Sequence, residues 1–195
     1  MTGKQPVQVR IAGYGGQGVV LAGMLLGRAA LEDGFFAVQN QSYGAEARGG
    51  AARAEVLIGQ EPIVYPEVTA PGILAALSQA ALDRYVADLA GGATVVLDAD
   101  LVPRVAADLP FRVLRGRFTH LAVQELGRAI VANMVMLGFL VAATGLVRLD
   151  ALRRAVAGGV PAGTEELNRR ALELGIGLGG PLPGPAGAAA GGGAA

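Results

Sequence analysis

The chain has 195 residues, enough for one domain with a sizeable core. Hydrophobic residues make up 52% and charged residues only 16%, against a usual charged share of about 25%. Sixteen basic residues balance sixteen acidic ones, and there is no cysteine and a single histidine, His120. This excludes disulfides, cysteine-ligated iron–sulfur clusters, a thiol nucleophile and a multi-histidine metal site, and it argues against nucleic-acid binding. The apolar balance points to a surface rich in Ala and Gly or partly covered by partners.

Val7, Val9 and Ile11 alternate with polar residues and predict a first strand. The turn Gly13-Tyr14-Gly15-Gly16-Gln17-Gly18 follows, then a helix over 17–32 with Val20, Leu21, Met24, Leu25 and Ala29 at helical spacing. Gly34 is its stop, and 35–38 reads as a short second strand, giving a βαβ unit with a parallel pair. Residues 39–52 show no period and read as a loop that carries Glu46 and Arg48. A third strand is expected over 53–58, and Pro62, Pro66 and Pro71 punctuate what comes next.

An amphipathic helix is predicted over 73–89, then strands over 94–97 and 111–114. The last third reads as helical: 122–128, the apolar run 130–144 stopped by Gly145, 151–157 with Asp150 as cap, and 165–174 with Thr164 as cap. The apolar run is too short for a membrane span and holds Asn133 and Gly138, so it reads as a buried helix. The N-terminus lacks a signal-peptide pattern, and a cytoplasmic location without membrane attachment is expected. From Gly179 the chain is almost entirely Gly, Pro and Ala. We therefore divide it into a domain over 1–178 and a disordered tail over 179–195. The fold class expected is α/β: a single Rossmann-like domain, a mostly parallel sheet flanked by helices, and a helical C-terminal third.

Three readings are open for the glycine turn. Gly13, Gly15 and Gly18 match a dinucleotide fingerprint between strand and helix. The acidic residue that should follow strand two is absent, since Val38-Gln39-Asn40-Gln41 stands there. The turn otherwise contacts an anion such as coenzyme A through Gly13, Gly15, Gly16, Gln17 and Gly18, or is only a tight turn that allows close packing. Glu46 and Arg48 form a local ion pair, or Arg48 with Gly49-Gly50 reaches a neighbouring subunit or an anion. Asn133 is a hydrogen-bonded core amide or a bond across a subunit interface. No nucleophile pattern accompanies His120, and no residue stands out as a catalyst.

Four ordered blocks carry a resemblance. They are Gly13 to Val19 with Ala22-Gly23 and Leu26; Gln41-Ser42-Tyr43-Gly44-Ala45-Glu46-Ala47-Arg48-Gly49-Gly50; Ala75 to Tyr85; and Ala132 to Gly138, continued by Asn168 and Ala171-Leu172. Together they resemble the gamma subunit of 2-oxoacid:ferredoxin oxidoreductases over about residues 7–175. Gly72 departs from the pattern, where an acidic residue is expected. The resemblance implies an accessory, non-catalytic subunit of a complex. That complex oxidatively decarboxylates a 2-oxoacid, passes the acyl group to coenzyme A and reduces ferredoxin. The form of the second loop resembles the 2-oxoglutarate branch.

Thiamine diphosphate, Mg, iron–sulfur clusters and coenzyme A are expected in the complex, with none bound by this chain alone. The implied partners are alpha and beta subunits, with a ferredoxin-like delta subunit as a further candidate and ferredoxin as electron acceptor. Tyr43, Glu46, Arg48, Gly49, Gly50 and Asn133 are the implied interface residues. The alternatives are a stand-alone nucleotide-binding module or small reductase, and a subunit of an indolepyruvate-type oxidoreductase.

Overall fold

Alternating apolar segments and glycine stops build an α/β domain, seen in a computed structural model that describes residues 5–43 and 51–180. In chain order the elements are β1 (Val7–Tyr14), α1 (Val19–Glu32), β2 (Phe36–Tyr43), β3 (Ala51–Gly59), β4 (Ile73–Ala76), α2 (Gln79–Tyr85), β5 (Thr94–Asp98), β6 (Arg112–Gly116), α3 (Phe118–Leu126), α4 (Ala132–Thr144), α5 (Leu149–Gly159) and α6 (Glu165–Gly179). The strands form one sheet in the order β2-β3-β1-β4-β5-β6. β1, β4, β5 and β6 pair in parallel, while β3 runs antiparallel to both β1 and β2. β3 is thus the one reversed strand, and the sheet is mostly parallel as expected.

Several sequence expectations need correction. The first two strands point the same way but are not neighbours, because β3 lies between them. A short β2–β3 connection can return the chain only antiparallel, which places β3 directly beside β1. Second, both described ends of the loop expected over 39–52 are strand: β2 runs to Tyr43 and β3 starts at Ala51. The second half of β2 is exposed and polar, so it lacks the apolar alternation that marks a strand.

Third, the helix expected over 73–89 is a strand, a turn and a short helix. Ile73 to Ala76 form β4, buried on both faces between β1 and β5. Ser78 then caps α2, its Oγ accepting the Ala81 N–H at 3.2 Å. Ala and Leu favour helices by propensity, but a run buried on both faces of a parallel sheet is apolar throughout and shows no strand period. The short helix expected over 122–128 begins earlier, at Phe118.

One sheet face carries Val9, Ile11, Val56, Ile58, Ile73, Ala75 and Val96, and these share a core with α1, α4, α5 and α6. α4 is buried along nearly its whole length, which explains its apolar composition. No described helix is long and apolar enough to cross a membrane. The opposite face packs Ala12, Leu74, Ala76, Val95 and Leu97 against α2 together with Val86, Leu89 and Val102. There Arg10 lies over the Tyr85 ring, 4.8 Å from its centroid. Its guanidinium donates to Glu55 Oε1 and Asp88 Oδ2, each at 2.8 Å. Arg10 and Glu55 are cross-strand partners, so the buried charge is paired across the β1–β3 ladder.

The expected caps on the last two helices differ. Arg148 holds the cap position of α5, while Asp150 sits in its first turn and accepts from Arg153 at 3.0 Å. Thr164 stands where expected, but its hydroxyl donates to Pro161 O and accepts from Asn168 Nδ2. The helix it precedes extends through Gly179, and residues 181–195 of the expected tail lie outside the described residues.

Candidate functional site at the carboxyl rim of the sheet

β1 ends at Tyr14, and the chain must turn sharply to start α1. The Gln17 N–H bonds Tyr14 O at 3.1 Å, closing a β-turn whose third residue, Gly16, has φ +94°. That conformation suits glycine. Gly18 follows at φ +70°, and its carbonyl accepts from Ala22 N at 3.0 Å and from Asn133 Nδ2 at 3.0 Å. Asn133 is 3% exposed, and its Oδ1 accepts the Met134 N–H at 2.9 Å. Its amide therefore bonds within the chain and fixes the start of α4 to the glycine turn.

Gln17 folds back over the turn. Its Oε1 accepts the Tyr14 N–H at 2.6 Å, and its Nε2 donates to Leu77 O at 2.8 Å, joining the ends of β1 and β4. A side chain added at Gly13 would collide with the same Gln17 oxygen. The inner crook of the turn is thus filled by the protein's own amide. β3 also stands between β1 and β2, so the end of strand two is not beside the turn as a dinucleotide-binding fold requires. A bound dinucleotide does not fit. The exposed outer side is different: the N–H groups of Gly15, Gly16 and Gly18 have no hydrogen-bond partner among the described residues.

The neighbouring strands end at the same rim. Asp98 closes β5 fully buried, accepting Thr119 N at 2.9 Å, Thr119 Oγ1 at 2.6 Å and Asp100 N at 3.0 Å. Asp100 accepts His120 N at 3.1 Å and Arg117 Nε at 2.9 Å. These two carboxylates cap α3, a task the sequence reading did not assign to them. The signal was present as Asp98 and Asp100 directly after a β-branched strand. His120 Nδ1 lies 3.2 Å from Arg117 Nη2, in a surface network.

A cleft of about 230 Å³ opens among Gly16, Gln17, Leu77, Leu101, Thr119 and Ile130. It lies beyond the carboxyl ends of the parallel strands, where open α/β sheets place their ligands. Larger hollows lie elsewhere, including one of about 510 Å³ beside Gln8, Leu57 and Tyr65. We place the candidate site at the rim because the two signature segments meet there. Tyr14 pairs with Ala51 and Gly13 with Ala52, while Tyr43 also pairs with Ala52. Ala51, where the second loop returns, is therefore directly beside the glycine turn, and Tyr43, where it leaves, lies one strand further along the same rim. Glu46, Arg48, Gly49 and Gly50 themselves lie outside the described residues, as does the side chain of Tyr43. The carboxylates held below their ordinary values, Asp33, Glu166 and Glu173, all pair with arginines on the helical side.

A family model described as pyruvate ferredoxin/flavodoxin oxidoreductase matches residues 8–178, and the chain belongs to that family. Among curated relatives, a 2-oxoglutarate synthase subunit KorC of Methanothermobacter marburgensis is 49% identical over 174 residues, covering 86% of this chain and 94% of that one. A keto/oxoacid ferredoxin oxidoreductase gamma subunit from Geobacter sulfurreducens superposes with a TM-score of 0.78 at 40% identity. It covers 89% of this chain and 98% of its own. A 2-oxoglutarate:ferredoxin oxidoreductase chain from Magnetococcus marinus shares the fold with a TM-score of 0.80 at 20% identity. That match spans 92% of this chain but only 32% of the longer one.

Proposed function

We propose that this chain is the gamma-type subunit of a 2-oxoacid:ferredoxin oxidoreductase acting on 2-oxoglutarate, with its carboxyl rim turned towards the rest of the complex. The observation that carries the reading is that the glycine turn, Tyr43 and Ala51, the residues flanking the second loop, share one rim, set by the β1–β3–β2 register. A surface built only to close a turn needs no such pairing of two segments. The substrate assignment rests on the 49% identical relative named a 2-oxoglutarate synthase subunit. That relative favours 2-oxoglutarate over the aromatic 2-oxoacid alternative and over a stand-alone module.

The complex removes carbon dioxide from the 2-oxoacid, joins the remaining acyl group to coenzyme A and sends the electrons released to ferredoxin. In this reading thiamine diphosphate and Mg belong to the alpha and beta partners, and cysteine-ligated iron–sulfur clusters belong to partners because this chain has no cysteine to ligate one. The outer N–H groups of the glycine turn and the guanidinium of Arg48 offer donors to a phosphate of coenzyme A or to a partner's carboxylate. Tyr43, Glu46, Gly49 and Gly50 complete that contact, and Asn133 supports it from behind by holding Gly18. We place the complex in the cytoplasm with its electron carrier.

The test is purification of the complex from native cells, followed by an assay of several 2-oxoacids with coenzyme A and ferredoxin. Stoichiometric thiamine- and cluster-bearing partners with preferred turnover of 2-oxoglutarate are expected. A chain recovered alone, or a complex that prefers pyruvate, overturns the reading. In the same assay Arg48→Ala is expected to weaken assembly or raise the KM for coenzyme A about tenfold, as loss of a charge-assisted contact should. Unchanged assembly and an unchanged KM remove Arg48 from the site.

A further inference from the structure

The edge of the sheet at β2 differs from the edge at β6. β6 has five residues and carries Arg112 and Arg115, the kind of charge that blocks further strand pairing. β2 has eight residues, Phe-Ala-Val-Gln-Asn-Gln-Ser-Tyr, with no charge and no proline. It presents about 27 Å of open ladder. No residue from Phe36 to Ser42 is buried, whereas every residue of β3 from Ala52 to Gly59 except Arg53 is.

Apolar side chains flank this edge on both faces of the sheet. α1 lies over β3 and β2: a side chain added at Gly23 would meet Ala54 of β3, and one at Gly27 would lie 3.8 Å from Gln39 of β2. Met24 and Leu31 share the helical stripe of Gly27, so they overhang the β2 side. They are 43% and 58% exposed. On the other face, Asn40 Nδ2 donates to Pro66 O and anchors the segment after β3. Tyr65 and Val64 of that segment are the most exposed large apolar residues described. Phe36, on the edge itself, is 45% exposed.

We infer that β2 is an open docking edge that takes an extended, uncharged strand from a neighbouring subunit of the oxidoreductase, with Met24, Leu31, Phe36 and Tyr65 closing over it. The inference rests on the subunit reading above and names the surface that reading leaves unassigned. The course of the chain selects this occupant: β2 ends at Tyr43 and leads into the segment proposed above to meet the partner subunit. Backbone hydrogen bonds supply the affinity of such strand addition, and an uncharged edge rejects a charged strand by desolvation.

The experiment is hydrogen exchange on the full chain, free and within the reconstituted complex. Amides of β2 are expected to exchange about tenfold more slowly in the complex, while those of β6 do not change. Gln41→Lys, on the exposed edge, is expected to weaken assembly about tenfold, whereas Gln124→Lys on exposed α3 does not. A complex that assembles with β2 exchange unchanged, or that tolerates Gln41→Lys, overturns the docking edge and leaves the subunit reading intact. Failure to assemble with any oxidoreductase subunit overturns both. Protection of β2 in the free chain together with a doubled mass assigns the edge to a second copy instead, and also overturns the inference.

Discussion

Replacing glycine by alanine inside a helix normally raises stability by about 0.8–1 kcal/mol. In α6 the sign should depend on which of two nearby glycines is changed. Gly177 faces open space, with nothing within 4 Å of an added methyl group. Gly175 faces α4. A methyl group there would press into the Val135 carbonyl oxygen, with the Val135 carbonyl carbon 2.8 Å and the Phe139 nitrogen 2.9 Å away. All three are backbone atoms of a helix buried along nearly its whole length, so none can rotate aside. The helices cannot part easily, because Gly138 of α4 makes the reciprocal approach to Leu172 and Ile176 of α6. Overpacking of this kind costs about 3 kcal/mol at the upper end of its usual range. Less the propensity gain, Gly175→Ala should lose roughly 2 kcal/mol. For a chain of this size that lowers Tm by about 4–8 °C, while Gly177→Ala raises it by about 2–4 °C. Thermal and urea unfolding of the free chain, followed by circular dichroism, measure both. If both substitutions shift stability the same way, the close α4–α6 contact is not what the glycine preserves.

Two further perturbations probe the site and its support. Asn133→Ala removes the bond to Gly18 O and should cost about 1–2 kcal/mol, read by urea unfolding. Subunit binding should then change no more than that stability loss explains, and a larger binding defect at intact stability would assign the amide to the interface. Glu173 is held below its ordinary value of 4.5 chiefly by the side-chain hydrogen bonds from Arg153, at 2.7 and 3.0 Å. A depressed folded-state value contributes stability that is present above the unfolded value and lost as pH falls through the folded one. The difference in unfolding midpoint between the native chain and Arg153→Ala should therefore be constant near neutral pH and shrink in acid below about pH 4. A difference that grows on acidification would show that Arg153 acts otherwise.

The parts of the fold that the sequence makes legible are those where periodicity and glycine position agree. β1, the glycine turn and α1 combine alternation, a left-handed Gly18 and a 3.6-residue stripe, and all three fall where expected. The stop of α4 at Gly145, with φ +66°, is equally clear. β4 is hidden because four residues buried on both faces look like a turn of helix in an Ala- and Leu-rich stretch. β2 is hidden because an edge strand needs no apolar alternation. The pairing of Arg10 with Glu55 depends on a register that joins residues 45 positions apart, although a charge in the middle of each strand marks both as special. At the rim, the sequence names both signature segments but not their junction, because that junction is made by inserting β3 between the first two strands.

The inserted strand connects the stability of the domain with the placement of its contacts. An ordinary parallel α/β sheet would put β2 beside β1 and direct the glycine turn at a ribose and pyrophosphate. Here β3 occupies that place, Gln17 fills the crook, and Glu55 neutralises Arg10 across the new ladder. The same insertion moves β2 to the outside, as an uncharged edge two strands away from the turn, and brings both ends of the second loop back to the rim. Helices crowd one face and supply most of the core, so the rim and the edge can remain uncovered without unfolding the domain. The edge proposed to dock a partner strand would lose less by desolvation because β2 carries no charge.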